Sequence, residues 1–130
     1  MQTETESITN IVEQWAKAVR EENLEGILAH HSDDIRMFDV PGPTQSRGRA
    51  AYRETWEGFF GWLQHSGVFD VSELEVTASG EVAFCHGLIH CAGGEENGER
   101  VEYVVRLTIG LQKIDGSWTI THEHHSVPSE

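Results

Sequence analysis

The chain has 130 residues, the size of one ordinary domain, and carries 22 acidic against 9 basic residues for a formal net charge of -13. That field repels nucleic acid and anionic membrane, which both need clustered Lys and Arg, and it excludes them as main partners. No apolar run reaches the roughly 20 residues of a membrane span, and MQTETESITN is polar and acidic without a secretory core, so a cytoplasmic location is expected.

In chain order, the first predicted element is a helix over SITNIVEQWAKAVR. Ile8, Ile11, Val12, Trp15 and Val19 fall on one stripe at helical spacing, with Ser7 available as N-cap. A short second helix is predicted from Asn23 to His30. A strand follows from Ile35 to Val40 and is stopped by Pro41-Gly42-Pro43. From Arg49 to Gln64 the spacing turns helical again, with Tyr52, Trp56, Phe59, Phe60 and Leu63 on one aromatic face. Gly58 and Gly61 weaken that helix and suggest close packing on a neighbour. The second half holds four runs rich in β-branched and aromatic residues: VFDVSELEVTA, EVAFCHGLIHCA, ERVEYVVRLTIGLQKI and SWTITHEHHSV. Ser79-Gly80, GGEENG and Asp115-Gly116 separate them as hairpin-type turns. Neither an internal repeat nor a linker is visible, so residues 1–130 read as one domain. Helices followed by a strand meander imply an α+β fold with helices on one face of an antiparallel sheet. Cys85 and Cys91 share one predicted strand, six steps of about 3.3 Å apart, which is too far for a disulfide.

The wording of two stretches goes further. MFDVPGP with GRAAYRETWEGFF resembles the first strand and third helix of SnoaL-like and ketosteroid isomerase-like proteins. VRLTIGLQKIDGSWTITHEHHSVP resembles their last hairpin. The resemblance is to the nuclear transport factor two-like superfamily and covers nearly the whole chain. It implies a cone (the cystatin-like shape) of three N-terminal helices wrapped by a curved antiparallel sheet, with a pocket between them. It is poor for the reaction, because one scaffold hosts isomerases, cyclases, dehydratases and non-enzymes.

The residues that could line such a pocket follow from alternation along the last strand. Trp118, Ile120, His122, His124 and Ser126 share one face; Thr119, Thr121, Glu123 and His125 share the other. The face headed by Trp118 and Ile120 is expected to point inward and to carry His122 and His124 with it. If Asp115-Gly116 is a two-residue loop, Leu107 lies opposite His124. If Ile114-Asp115-Gly116 is a three-residue loop, Arg106 lies opposite His124 and Thr108 opposite His122. The second register is favoured, because it gathers Arg106, Thr108, His122 and His124. On the adjacent strand His86 is a further candidate for the pocket.

By resemblance, Asp39 occupies the early position of the ketosteroid isomerase base. The tyrosine of that enzyme's oxyanion hole has no counterpart in the first helix, which offers Trp15. A carboxylate in an apolar pocket makes a sound general base, and a nearby histidine relays its proton. The bland alternative is an acid that only accepts backbone N–H bonds from its own turn. His122 and His124 have a spacing that some metal sites use, but few ligands converge and no metal is assigned. Arg106 either binds a carbonyl or anionic substrate or, more simply, pairs with Asp39 or Glu123. Trp56 is a candidate pocket wall.

Two functions remain. One is an isomerase, cyclase or dehydratase type of enzyme without a tightly bound cofactor, using Asp39 and a pocket histidine for proton transfer on a small apolar carbonyl compound. The other is a non-catalytic ligand-binding or association module. An uncovered sheet face containing YVVRLTIGL also leads to the expectation of a homodimer through the sheet.

Overall fold

In the computed structural model, which describes residues 3–40, 42–96 and 98–128, the chain forms three helices and six strands. Helix α1 (Glu4–Arg20) starts earlier than its apolar stripe: Thr3 is the N-cap, accepting a 3.1 Å hydrogen bond from the Glu6 amide, and Ser7 lies inside the helix. Helix α2 (Leu24–Leu28) is a single turn, capped by the Asn23 side chain on Gly26 N at 3.2 Å. Strand β1 (His31–Phe38) is followed by a short β2 (Ser46–Arg47) that the spacing does not predict, then α3 (Arg49–Leu63). The stop assigned to Pro41 lies outside the described residues. Strands β3 (Val68–Ser79), β4 (Val82–Glu96), β5 (Glu99–Ile114) and β6 (Ser117–Ser126) complete the sheet.

The strand order is β2-β1-β6-β5-β4-β3. Every pairing is antiparallel except β1 with β6, which run parallel. The helices cover one face. Ile8, Val12, Trp15 and Val19 of α1 and Tyr52, Trp56 and Leu63 of α3 meet Cys85, Ile89, Leu107, Ile109 and Leu111 in one buried core. Burying such a set removes on the order of 2 kcal/mol of unfavourable hydration per large side chain. Both cysteines are free and buried in that core.

Two expectations change here. Gly58 and Gly61 are not sites of close approach, because a Cβ at either would meet nothing within 4 Å. Close packing falls instead at Gly93 and Gly94, where an added Cβ would come within 2.6 Å of the Trp62 carbonyl oxygen and 2.7 Å of the Trp62 indole nitrogen respectively. The apolar run YVVRLTIGL is also less exposed than its composition suggests. Leu107, Ile109 and Leu111 face the helices, leaving Tyr103 and Val104 half-exposed.

The feature that decides the site is in the last hairpin. Asp115-Gly116 is a two-residue loop closing Ile114 against Ser117. Leu111 then pairs with Ile120, while Gly110 pairs with His122, so Thr121 is an extra residue in β6. This β-bulge reverses the alternation. Trp118 and Ile120 point inward before it, and Glu123 and His125 point inward after it.

Candidate functional site: a buried acid/base network

Four elements bring polar groups into the core. Glu123 and His125 come from β6, His31 from the first residue of β1, Tyr52 from the first turn of α3 and Trp15 from α1. Glu123 Oε2 lies 2.6 Å from His31 Nε2 and accepts the Tyr52 hydroxyl proton at 2.6 Å. The Tyr52 oxygen also stands 2.8 Å from His31 Nε2 and accepts the Trp15 indole N–H at 3.0 Å. His31 Nδ1 donates to the Ala29 carbonyl at 2.9 Å. A carbonyl can only accept, so Nδ1 carries a proton. Two unprotonated acceptors would repel at 2.6 Å, so a second proton lies between Nε2 and Glu123, giving a charge-assisted bond.

On its other side Glu123 meets His125. His125 Nε2 stands 3.2 Å from Glu123 Oε1, and His125 Nδ1 stands 3.5 Å from Asp39 Oδ1. The first contact is an ion pair without an aligned hydrogen bond, and these two atoms, like the Trp56 indole N–H, are buried without a hydrogen-bond partner among the described residues. Asp39, half-buried just after β1, also accepts the Val40 amide at 2.8 Å. The result is a chain of two carboxylates and two imidazoles, Asp39–His125–Glu123–His31, with opposite charges alternating along it. Such alternation is what lets ionised groups remain buried.

The electrostatics follow from the packing. Burial pushes the Glu123 carboxyl up, but His125 and His31 outweigh it and hold the group down at about 2. Burial pushes His125 down, and Asp39 with Glu123 outweigh that and hold it up at about 9. Tyr52 is raised well above the ordinary tyrosine value, first by burial and then by the charge of Glu123. The Cys85 thiol is pushed up to about 12 by burial, with Glu123 adding to it, which makes it inert as a nucleophile at neutral pH.

Rings enclose the network. Trp15 and Trp56 each stand edge-on to His125 with centroids 6.1 Å away, and both contact Phe69. Trp56, the candidate wall, is thus a buried core residue that touches His125 directly. Two surface grooves of about 230 and 340 Å³ run along α1, and neither is lined by Asp39, Glu123 or His125.

The bulge at Thr121 corrects the placement of the other candidates. His122 and His124 lie on the outer sheet face, each edge-on to Phe38, with their rings 6.5 Å apart. Burial and the neighbouring His124 lower the pKa of His122. Thr108 stands opposite His124, as neither loop length alone allows, because the bulge adds one residue to the register. Arg106 stands opposite Ser126, donates to its hydroxyl at 3.0 Å, and is not buried with Asp39 or Glu123. His86 pairs with Thr108 and is exposed on the same outer face. Arg106, Thr108, His122 and His124 do share one face, but it faces away from the helices. Asp39 does meet a histidine of the last strand, His125 in place of His124.

Sequence reasoning missed Glu123, His125, His31 and Tyr52. Gly110 carried a usable signal, since a glycine inside a strand often marks a bulge. Its missing Cβ would stand 3.4 Å from the His122 Cβ. Tyr52 counted only as an apolar ring, although a buried tyrosine hydroxyl needs a partner. Among the described residues no three His, Cys, Asp or Glu side chains form a group that could hold a metal ion, and no helix is long and apolar enough to cross a membrane.

Comparison with known proteins agrees with this architecture. The SnoaL-like domain family matches residues 8–130, and the chain belongs to that family. An NTF2-like protein of unknown function from Pseudomonas putida is 33% identical, with 95% of this chain and 85% of that one covered at a TM-score of 0.81. A ketosteroid isomerase-like protein from Erwinia carotovora atroseptica superposes over 100% of both chains with a TM-score of 0.79 at 18% identity. A protein of unknown function with a cystatin-like fold from Nostoc punctiforme covers 95% of this chain and 90% of its own, with a TM-score of 0.75 at 14% identity. The last two are similar in fold alone. No curated protein matches the sequence significantly.

Proposed function

We propose that this SnoaL-like protein catalyses proton transfer on a small carbonyl compound, with Asp39 as the base and His125 as its acid/base partner. One observation carries the reading: an ionised chain runs from the half-buried Asp39 through His125 and Glu123 to the fully buried His31 and Tyr52. Keeping so many charges in the core opposes stability unless they are needed, and perturbed groups of this kind concentrate at functional sites.

In this reading the substrate approaches from the Asp39 end. The Asp39 carboxylate takes a proton from the carbon next to the carbonyl, and the electrons of that C–H bond move onto the carbonyl oxygen. Protonated Asp39 then returns the proton to another position, as an isomerase, or to a departing hydroxyl, as a dehydratase. His125 faces Asp39 and balances its charge; Glu123, itself held by His31 and Tyr52, fixes the imidazole. Trp56, itself packed on Phe69, is buried beside His125 and keeps that end of the chain of charges dry. His122, His124, His86, Arg106 and Thr108, on the outer face, have no part in this step.

A second reading has its own support. The Val40 amide engages Asp39 and aromatic rings fill the space beside His125, as in a binding or association module that performs no chemistry. Deuterium incorporation at the α-carbon of small cyclic ketones and enones, followed by NMR, separates the two. Asp39→Asn and His125→Gln are each expected to slow exchange by about a hundredfold or more. Exchange in the folded wild type no faster than in buffer, or unchanged in both variants, overturns the enzymatic reading.

A further inference from the structure

The two grooves along α1 form one trough. The groove of about 230 Å³ lies between α1 and α2, the groove of about 340 Å³ between α1 and the tip of the β5–β6 hairpin, and Ile11, Gln14 and His30 line both. The proton-transfer reading makes no use of it. Its inner side is apolar: Trp15, Ala18 and Trp118 are buried and Ile11 is half-buried. Its outer side is polar, with Asn10, Gln14 and Lys17 exposed along α1. None of these three, nor His30 across the trough, makes a side-chain hydrogen bond or ion pair with another described residue. His30 is held at φ 64, a left-handed conformation unfavourable for a residue with a Cβ, while its carbonyl accepts the Ile120 amide at 2.6 Å. Strain of this kind persists only where the surroundings impose it, and here it sets the imidazole at the junction of the two grooves.

The spacing of these groups selects a ligand. Asn10 and Gln14 stand one helical turn apart, about 6.0 Å along the axis. Along one edge of an extended peptide the backbone groups repeat every two residues, about 6.6 Å. A side-chain amide carries both donor and acceptor, so each of the two can take the N–H and C=O of one peptide residue. From Ser7 to Glu21 the trough follows α1 for about 21 Å, the span of roughly six extended residues. Carboxylates dominate its surroundings: Glu21 lines it, and Asp115 and Glu25 adjoin its lining residues Gly116 and Gly26, against Lys17. We propose that this trough binds an extended basic peptide, with Asn10 and Gln14 on its main chain. Alternate side chains of such a peptide point opposite ways. Its small apolar side chains then rest on Ile11 and Ala18, and its cationic ones reach Glu21, Glu25 and Asp115. Main-chain contacts supply the affinity and the alternating side chains the specificity, as where a peptide adds to a sheet edge. The binding does not depend on the proton-transfer reading, and its test is independent of activity.

The probe is an acetylated and amidated hexapeptide in which lysine alternates with valine, titrated into isotope-labelled protein and followed by NMR. Saturable shifts of the α1 amide signals and of the Trp118 indole signal are expected at or below about 1 mM peptide. Asn10→Ala with Gln14→Ala removes two exposed side chains, leaves the fold intact, and is expected to weaken binding at least about tenfold. N-methylation of the peptide backbone is expected to weaken it as much, and glutamate in place of lysine to abolish it. His124→Gln, on the outer sheet face, is expected to leave the affinity unchanged. A titration without saturable shifts, a double variant that binds as tightly as the wild type, or an equal loss in His124→Gln overturns the site. Equal affinity for the N-methylated peptide, or for spermine, which carries the charge without the amides, overturns main-chain recognition.

Discussion

The two sides of β6 carry the same chemistry and put it to different uses. His122 and His124 face outward, where solvent and a phenylalanine ring are their neighbours. Glu123 and His125, one residue along, face inward and are held in an ionised chain among tryptophans. A histidine therefore means little until its face is known, and in this strand the face is set by a single extra residue at Thr121.

The largest test exchanges the two faces. Swapping Glu123 with His124 (Glu123→His with His124→Glu) moves the carboxylate to the outer face and leaves His31, His125 and Tyr52 buried without it. The loss is expected to exceed about 4 kcal/mol, enough to abolish a cooperative urea transition in a domain of ordinary stability. A cooperative transition near the wild-type midpoint would show that the strand accommodates either face.

Substitution compares the faces directly. Glu123→Gln leaves His31 and His125 buried without their shared counter-charge, and about 3–5 kcal/mol of stability is expected to go. His124→Gln on the outer face is expected to change stability by no more than about 0.5 kcal/mol. Equal effects in urea unfolding would mean that the buried charges contribute nothing particular.

The smallest and most graded test is pH. Glu123 is held at about 2 against an ordinary 4.5, so its contribution is present above 4.5 and is lost as pH falls towards 2. His125 is held at about 9 against an ordinary 6.5, so its contribution is complete below 6.5 and is lost as pH rises through 9. Stability is therefore expected to be highest between about 4.5 and 6.5 and to decline on both sides. Urea midpoints measured across pH 3–10 check this, and a profile still rising at pH 8 would contradict the ionised chain.

What the sequence made legible was local. The stripe Ile8, Val12, Trp15, Val19 predicts α1, the four β-branched runs predict β3 to β6, and the last-hairpin wording points to the family that the comparison then shows. Asp39 is singled out by resemblance, and the histidine of β6 beside it is His125, not the expected His124. The rest depended on pairing between strands. Alternation carries a face along a strand only while the register is unbroken, and the break at Thr121 is a property of β5 and β6 together. Tyr52 and His31 join the network through contacts 71 and 92 residues away in sequence. Helical spacing and turn chemistry, which act over a few residues, carry no record of such contacts.

The position of β6 also bears on how the protein is made. It is the last of the six strands to be synthesised, yet it lies inside the sheet between β1 and β5. A nascent chain lacking Ser117–Ser126 holds two separate sheet fragments, β2–β1 and β5–β4–β3, with no strand to join them. His31 and Tyr52 then wait beside a gap that Glu123 has yet to fill. Contacts of such long sequence separation form slowly. During translation the apolar surfaces of the incomplete domain would depend on the ribosome and chaperones to keep them apart, and the acid/base network would be among the last parts of the molecule to assemble.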